Sequence, residues 1–592
     1  AGPRVRPGRA RDAGPAGPGH AGADHPGSER ARPGRARPGT VVLAPVRRLA
    51  AVALAAALLA GCRDDTPLAG EVKAGTLTPA YGDTMIEASI GNVSSLIPNI
   101  TNDVSSREVG DLMYNGLVTL GRDLEIVPEL ARSWAFSQDC LTLDLQLQEG
   151  VRWHDGKPFT SADVVFTYDA MMHPKTPSSY KADFDAVERV EATGPHSVRV
   201  TYKRPYARAL LSWAMTMLPK HLLEPYVKDG KIRDAPQNWT APVGTGPYRF
   251  QEMKSGEKIV VVANPDYYKG RPHVSRIVYR IIPSQATIFL ELKAGGVDVA
   301  SLTALQFKRQ TEYPAFEKAY KKYRYPSPGY TYFGFNLKDP RFADRRVRQA
   351  FAHAINKQEL LEGVVMGLGR ESTGPFRPGH WANNAAIKGI SYDPKRATAL
   401  LAEAGWTKRN ADGLLVKDGK PFTFELLTNQ GNDERKKVAE IIQASLREIG
   451  VGVEIRILEW AALLKEHIRK RPVAFDSIIL GWSTAADPDQ FVVWHSSQQG
   501  PNELNSIGYA SPEADALLEA GRTSCHQAER VKFYHRLHQV LADDQPVIFL
   551  YWRDALPAIS TRIHGIDPGP AGLRWNFTDW FVPQHLQRYT AG

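Results

Sequence analysis

Three cysteines in 592 residues, at positions 62, 140 and 525, make no cluster with metal-ligand spacing. The chain has no H-E-x-x-H, no G-x-S-x-G and no glycine loop followed by Lys-Ser/Thr. Zinc-protease, nucleophile-elbow and P-loop chemistry therefore lack their signatures. The apolar run Leu49–Leu59 is too short to span a bilayer stably. No short repeat is visible, which argues against a solenoid. An excess of basic charge is missing beyond residue 61. The net charge is +10, but residues 1–61 hold ten arginines against three acids. The remainder carries only about +3, so a nucleic-acid reading loses its support.

What is present is ordinary globular sequence, 43% hydrophobic and 23% charged, and too long for a single core. The first forty residues are Ala, Gly, Pro and Arg with almost no bulky apolar side chain, a composition that predicts disorder. Arg47-Arg48, the apolar run and Leu59-Ala60-Gly61-Cys62 then follow the order of a signal peptide. Small residues ahead of Cys62 resemble a bacterial lipobox, which implies lipidation of Cys62 and cleavage before it. An ordinary secretory signal with an incidental cysteine is the alternative. Cys140 and Cys525 are far apart in sequence, and whether they pair stays open.

Residues 62–78 read as a linker. Beyond them, short strands alternate with amphipathic helices. Residues 142–151, 197–202, 258–264, 276–283 and 451–458 alternate like half-buried strands. Thr160 to Asp163 resembles a capping box, and Asp393-Pro394 and Ser511-Pro512 open helices in the same style. Residues 344–365 and 434–450 read as single amphipathic helices. The class is α/β or α+β, in several lobes.

Three stretches look chemical and read better as structure. His535 and His538 share a helical face without a completing carboxylate and are expected on a solvated surface. His154-Asp155 precedes Gly156 in a turn leaving a strand, so the two side chains do not form a relay. "PVGTGPYRF" (242–250) lacks the third glycine of a dinucleotide fingerprint and reads as a tight turn before a strand.

Seven stretches in order carry a resemblance: residues 127–171, 242–250, 264–283, 290–300, 332–356, 481–498 and 505–522. They resemble extracellular solute-binding protein family 5, the oligopeptide- and dipeptide-binding lipoproteins of bacterial ABC importers. That resemblance implies an α/β, bilobal, periplasmic-binding-protein-like fold of the large class II type, with three subdomains and hinge-connected lobes. Residues 75–118, 242–328 and 553–592 would form lobe one, 119–241 its inserted subdomain and 329–552 lobe two. "YPSPGY" (325–330) suits one hinge crossing, and residues 551–554 the other.

The resemblance also implies a site. Gly481 and Trp482 would lie in the interlobe cleft beside an extended ligand, with Ser483 and Thr484 offering polar contacts. Trp460 and Tyr551 would be aromatic wall positions, and Asn92, Val93, Ser94 and Ser95 would face them from lobe one. For Trp494, packing within its own lobe is the favoured reading. Many peptide-binding relatives carry an acid about three residues after the tryptophan that pairs with the ligand's amino terminus. Here Ala485 and Ala486 stand there. Either Asp487 substitutes, or the amino terminus is not read as a charge.

The implied function is capture of a peptide and its delivery, unaltered, to an inner-membrane ABC permease. The protein would be a periplasmic or otherwise extracytoplasmic monomer anchored by lipid, with no cofactor, metal, nucleic acid or catalytic residue. The same fold binding an oligosaccharide, an opine-like compound or a nickel chelate is the alternative, and a secreted hydrolase is a weaker one.

Overall fold

The computed structural model describes residues 77–524 and 526–589. The leader, Cys62 and Cys525, with the expectations attached to them, lie outside these residues.

Two mixed sheets organise the chain. The first has seven strands in the order Tyr320–Lys322, Pro557–Ser560, Val299–Ser301, Gly82–Ser89, Val274–Ile281, Lys258–Ala263 and Tyr248–Lys254. Gly82–Ser89 runs parallel to both of its neighbours. The second has six, in the order Gly369–Glu371, Val547–Ala555, Tyr325–Phe335, Ser477–Ser483, Thr423–Asn429 and Gly452–Leu458. Thr423–Asn429 is parallel to both of its neighbours. The central strands of the second sheet are buried on both faces, as strands covered on both sides are. Phe333, Phe335 and Ile479 enter one core cluster, while Tyr330, Tyr332, Ile478 and Leu480 enter the other. A separate four-stranded antiparallel sheet, Ala131–Phe136, Thr142–Leu147, Ser197–Tyr202 and Val187–Gly194, has its own core around Trp153, Phe159 and Trp213.

The chain passes between the two large sheets twice. Tyr320–Lys322 of the first leads into Tyr325–Phe335 of the second, and Val547–Ala555 of the second leads into Pro557–Ser560 of the first. The two crossings pair side by side, Tyr325 with Ala555 and Pro326 with Asp554, with a register break between Pro326 and Tyr330. Pro326 and Pro328 have no N–H to give a ladder, so pairing lapses there.

Two expectations need correction. The helix read across 344–365 is two helices, Arg345–Ala354 and Lys357–Gly363. The break falls at Asn356, whose side chain accepts from the Glu359 N–H as an N-cap. His538 is not on a solvated face but fully buried. Its Nδ1 accepts from the Asn384 N–H (3.1 Å), its Nε2 lies 3.0 Å from the Thr373 hydroxyl, and burial pulls its pKa down to about 4.

The 242–250 stretch shows why its glycines are there. A Cβ on Gly244 would stand 1.9 Å from the Met113 carbonyl oxygen, and one on Gly246 would stand 2.5 Å from the Met113 carbonyl carbon. His154 locks the same turn by accepting from the Gly244 N–H (3.2 Å) and donating to the Gly246 carbonyl (3.0 Å). Asp155 points elsewhere, 2.7 Å from His221.

Candidate functional site: a charged interlobe cleft

Ligands in open α/β sheets bind outside the carboxyl ends of the strands. Here the carboxyl ends of both sheets meet. From the first come the segment after Gly82–Ser89, which carries Asn92 to Ser95, and the turn after Val274–Ile281. From the second come the ends of Thr423–Asn429, Gly452–Leu458 and Ser477–Ser483. The lobes touch along this line. Gln285 N donates to the Gly431 carbonyl (3.2 Å), and Asp433 N donates to Gln285 Oε1 (2.9 Å). Arg469 reaches Asn102 Oδ1 at 2.7 Å and Asp103 at 3.6 Å. A Cβ on Gly91 would lie 3.6 Å from the Trp460 ring.

The expected site residues divide. Trp482 is half-buried and shares a small pocket with Tyr330, Tyr332, Trp494 and Val547. Trp494 is 2% exposed and packs on Tyr509 and Phe549, inside its own lobe. Ser483 is exposed, whereas Thr484 is spent on the hinge, its N–H and hydroxyl both donating to the Pro328 carbonyl. Asn92 accepts from the Val93 N–H, and Val93 belongs to the first sheet's core. Ser94 bonds Asp103 and Thr101, within 3.5 Å of Arg469. Ser95 is fully buried, donating to Asn238.

Tyr551 is fully buried, not on an open wall. The pairing skips Leu550 between Tyr551 and Phe549, and this bulge turns Tyr551 into the same core cluster as Leu550. Its hydroxyl donates to Glu434 (2.9 Å). Asp487 is also committed. Arg530 grips both of its oxygens, at 2.7 and 2.8 Å. Burial pushes the Asp487 carboxyl up, but the Arg530 fork outweighs it and the net shift is downward.

The cleft's charges were missed in the sequence reading. Arg435 falls at the start of the amphipathic helix expected over 434–450. Its guanidinium in fact donates to Asn429 Oδ1 (2.7 Å) and lies 2.7 Å from where a Gly481 Cβ would be. Burial, then repulsion from Arg553, lowers its pKa to about 10. Across the cleft, Glu108 accepts from the Tyr279 hydroxyl (2.5 Å) and Glu87 pairs with Arg574. Asp111, on the same helix as Glu108, is exposed to solvent.

A second contact joins the four-stranded subdomain to the six-stranded lobe. Arg522 donates to Asp489 (2.9 Å) within its lobe, and to the Ala182 carbonyl (2.8 Å) and Tyr206 hydroxyl (2.9 Å) across the gap. Arg208 reaches back to Asp183 at 2.7 Å and Asp489 at 3.8 Å. Ala207 N donates to the Arg522 carbonyl (2.8 Å), and Ser179 bonds the Asn502 carbonyl.

Two sheet-centred lobes, joined by paired crossings and meeting over a charged cleft at their strands' carboxyl ends, define a bilobal ligand-binding protein. Comparison with known proteins agrees. The family model for the bacterial extracellular solute-binding proteins, family 5 (middle), matches residues 125–503. The oligopeptide-binding protein AppA of Bacillus subtilis is 31% identical over 540 residues, covering 90% of this chain and 98% of AppA. The solved structure of that protein with a nonapeptide superposes with a TM-score of 0.81 at 30% identity, covering 86% of this chain and all of that one. NikZ from Campylobacter jejuni, solved with Ni(L-His), gives a TM-score of 0.76 at 30% identity, covering 84% of this chain and 99% of its own. This chain therefore belongs to the bacterial extracellular solute-binding proteins of family 5.

Proposed function

We propose that this protein is the substrate-binding component of an ABC importer, taking up peptides in the interlobe cleft and handing them unaltered to a membrane permease. The observation that carries this reading is the open main-chain edge beside Trp482. Thr423–Asn429 pairs with Ser477–Ser483 only at Ser477 and Ile478. Beyond them, Leu480 to Ser483 meet Tyr325–Phe335 on one side and no strand on the other. An extended peptide can add there as a strand, with affinity from its backbone and selectivity from side-chain pockets. Trp482 serves as a platform, with Trp460 on the same lobe and Asn92 and Ser94 on the opposing one. Peptide binding by AppA, at 31% identity, supports the choice of ligand.

Contact with both lobes exists only when they are closed, so the ligand shifts the hinge equilibrium toward closure. Lipid at Cys62 would hold the protein at the extracytoplasmic membrane surface beside its permease. No described helix is long and apolar enough to cross a membrane. Lobe one in this reading comprises 75–118, 242–328 and 553–592, with 119–241 inserted, and lobe two 329–552.

One observation favours a second reading, a small non-peptide solute. Asp487 is held by Arg530 and is not free to receive an amino terminus. Mass spectrometry of ligand released by denaturing the purified protein separates the two. Peptides are expected, and they should be recovered uncut after incubation. A non-peptide ligand, or cleaved products, would refute the proposal.

A further inference from the structure

Among the described residues the second large sheet ends in a strand with no strand on its outer side. Gly452–Leu458 is the last of the six and pairs with Thr423–Asn429 alone. An unpaired edge is a template for another strand, and proteins blunt it by keeping it short, bulging it or placing lysines on it. The other three edges of the two large sheets follow that rule. Gly369–Glu371 and Tyr320–Lys322 are three residues long, the latter ending in two lysines. Tyr248–Lys254 has a register break between Phe250 and Glu252. Gly452–Leu458 does none of this. Its seven residues keep an unbroken register, with no proline and with β-branched side chains at Val453, Ile455 and Ile457. Ile457 is 41% exposed.

The main chain of this edge is turned outward at alternate residues. The Gly452 N–H donates to the Phe422 carbonyl, and the Leu458 carbonyl accepts from the Gln430 N–H, so the even-numbered residues face the partner strand. Val453, Ile455 and Ile457 therefore point their N–H and C=O groups away from it. Gln443 reaches the Val453 carbonyl there (2.8 Å), and a carbonyl has a second lone pair. The exposed face carries a charge conflict. Glu425 stands beside Glu454 in the parallel register, two like charges on adjacent strands. Arg456 answers Glu425 at 3.3 Å, and among the described residues Glu454 has no ion pair.

A second copy of the same strand resolves both features. Laid antiparallel about a two-fold axis through Ile455, it sets Ile455 against Ile455 and Val453 against Ile457, in hydrogen-bonded pairs made by the outward groups. Between them Glu454 falls opposite Arg456 of the second copy, which supplies the missing counter-charge. An edge guarded by lysines repels its own copy, whereas this one matches it.

We propose that Gly452–Leu458 is a self-association edge, through which two copies of this protein join their six-stranded sheets into one continuous sheet. The partner is a second copy of this chain, in place of the monomer expected from the family resemblance. The proposal is independent of what the cleft binds.

Sedimentation velocity of the full mature protein, from micromolar to hundred-micromolar concentration, tests it. A monomer–dimer equilibrium is expected within that range. Glu454→Arg sets arginine against Arg456 of the copy and should raise the dimer dissociation constant at least tenfold. Adding Arg456→Glu exchanges the two signs and should return the constant to within threefold of wild type. Ile457→Lys, on the other face of the strand, should weaken the dimer as well. All three positions are exposed, and unchanged thermal unfolding in dilute solution checks that the variants fold. Protein that stays monomeric throughout, a dimer indifferent to Glu454→Arg and Ile457→Lys, or a double variant that does not recover overturns the proposal. Growth beyond the dimer overturns it too, because a two-fold edge closes on itself.

Discussion

Removing the Arg522 side-chain charge, by Arg522→Met, should open the protein. Methionine keeps most of the aliphatic stem but loses every donor and the guanidinium that stands over the Phe491 and Tyr206 rings. Two of the lost hydrogen bonds cross between subdomain and lobe, to the Ala182 carbonyl and the Tyr206 hydroxyl. Bonds from a charged donor contribute about 1.5–3 kcal/mol each. Taken at the low end of that range, the crossing pair stabilises the closed form by about 3 kcal/mol. The third bond, to Asp489, lies within one lobe and weakens open and closed forms alike. At about 1.4 kcal/mol per factor of ten, apparent ligand affinity should fall about a hundredfold, because binding draws on the closed fraction. Titration calorimetry with a peptide recovered from the protein measures this, and small-angle scattering of the liganded form should show a larger radius of gyration. Arg530→Met is the control. Its partners Asp487, Tyr534 and Gly521 all lie in one lobe, so it should lower the urea midpoint without the affinity loss. An Arg522→Met protein that binds within threefold of wild type, with unchanged scattering, would show that the bridge plays no part in closure.

Four further outcomes are expected. His538 has its pKa lowered from 6.5 to about 4 by burial, so it contributes stability that is complete above pH 6.5 and is lost as pH falls toward 4. About 3 kcal/mol is at stake, and His538→Gln should flatten that limb of the urea-stability profile. Asn356→Ala removes the cap between two helices and should cost about 1 kcal/mol in urea unfolding. Gly481→Ala pushes a methyl against the movable end of Arg435, so stability should change by less than about 1 kcal/mol while ligand retention drops. Gly244→Ala meets a fixed carbonyl instead, and soluble yield or melting temperature should fall sharply.

Much of the fold could be read from local pattern. Strands at 197–202 and 451–458 and the capping box at Thr160 announce themselves through alternation and spacing, and they occur within a residue or two of their expected places. His538 misled because its helix was judged by one polar face, while the residues that bury it, Phe376 and Asn384, lie some 150 positions earlier. Tyr551 misled for a related reason. A one-residue bulge inverts its facing, and nothing in "VIFLYW" marks a bulge. The cleft's backbone segments were visible through family likeness, but its charges were not. Arg435 and Arg522 sit in ordinary charged helices, and only the folded chain shows that one holds an amide oxygen while the other spans two bodies.

The paired crossings bear on how far such a protein can gape. A two-ply ribbon resists stretching and sideways slip, because either would break pairs such as Tyr325 with Ala555. Twisting and bending at the lapse between Pro326 and Tyr330 break none of the pairs between the two crossings. Opening is thus confined to something like the swing of a door on one pin. The floor near Gly481 keeps its width while the rim travels, so a long guest can overhang the rim, but whatever sits at the floor is measured to a fixed gauge.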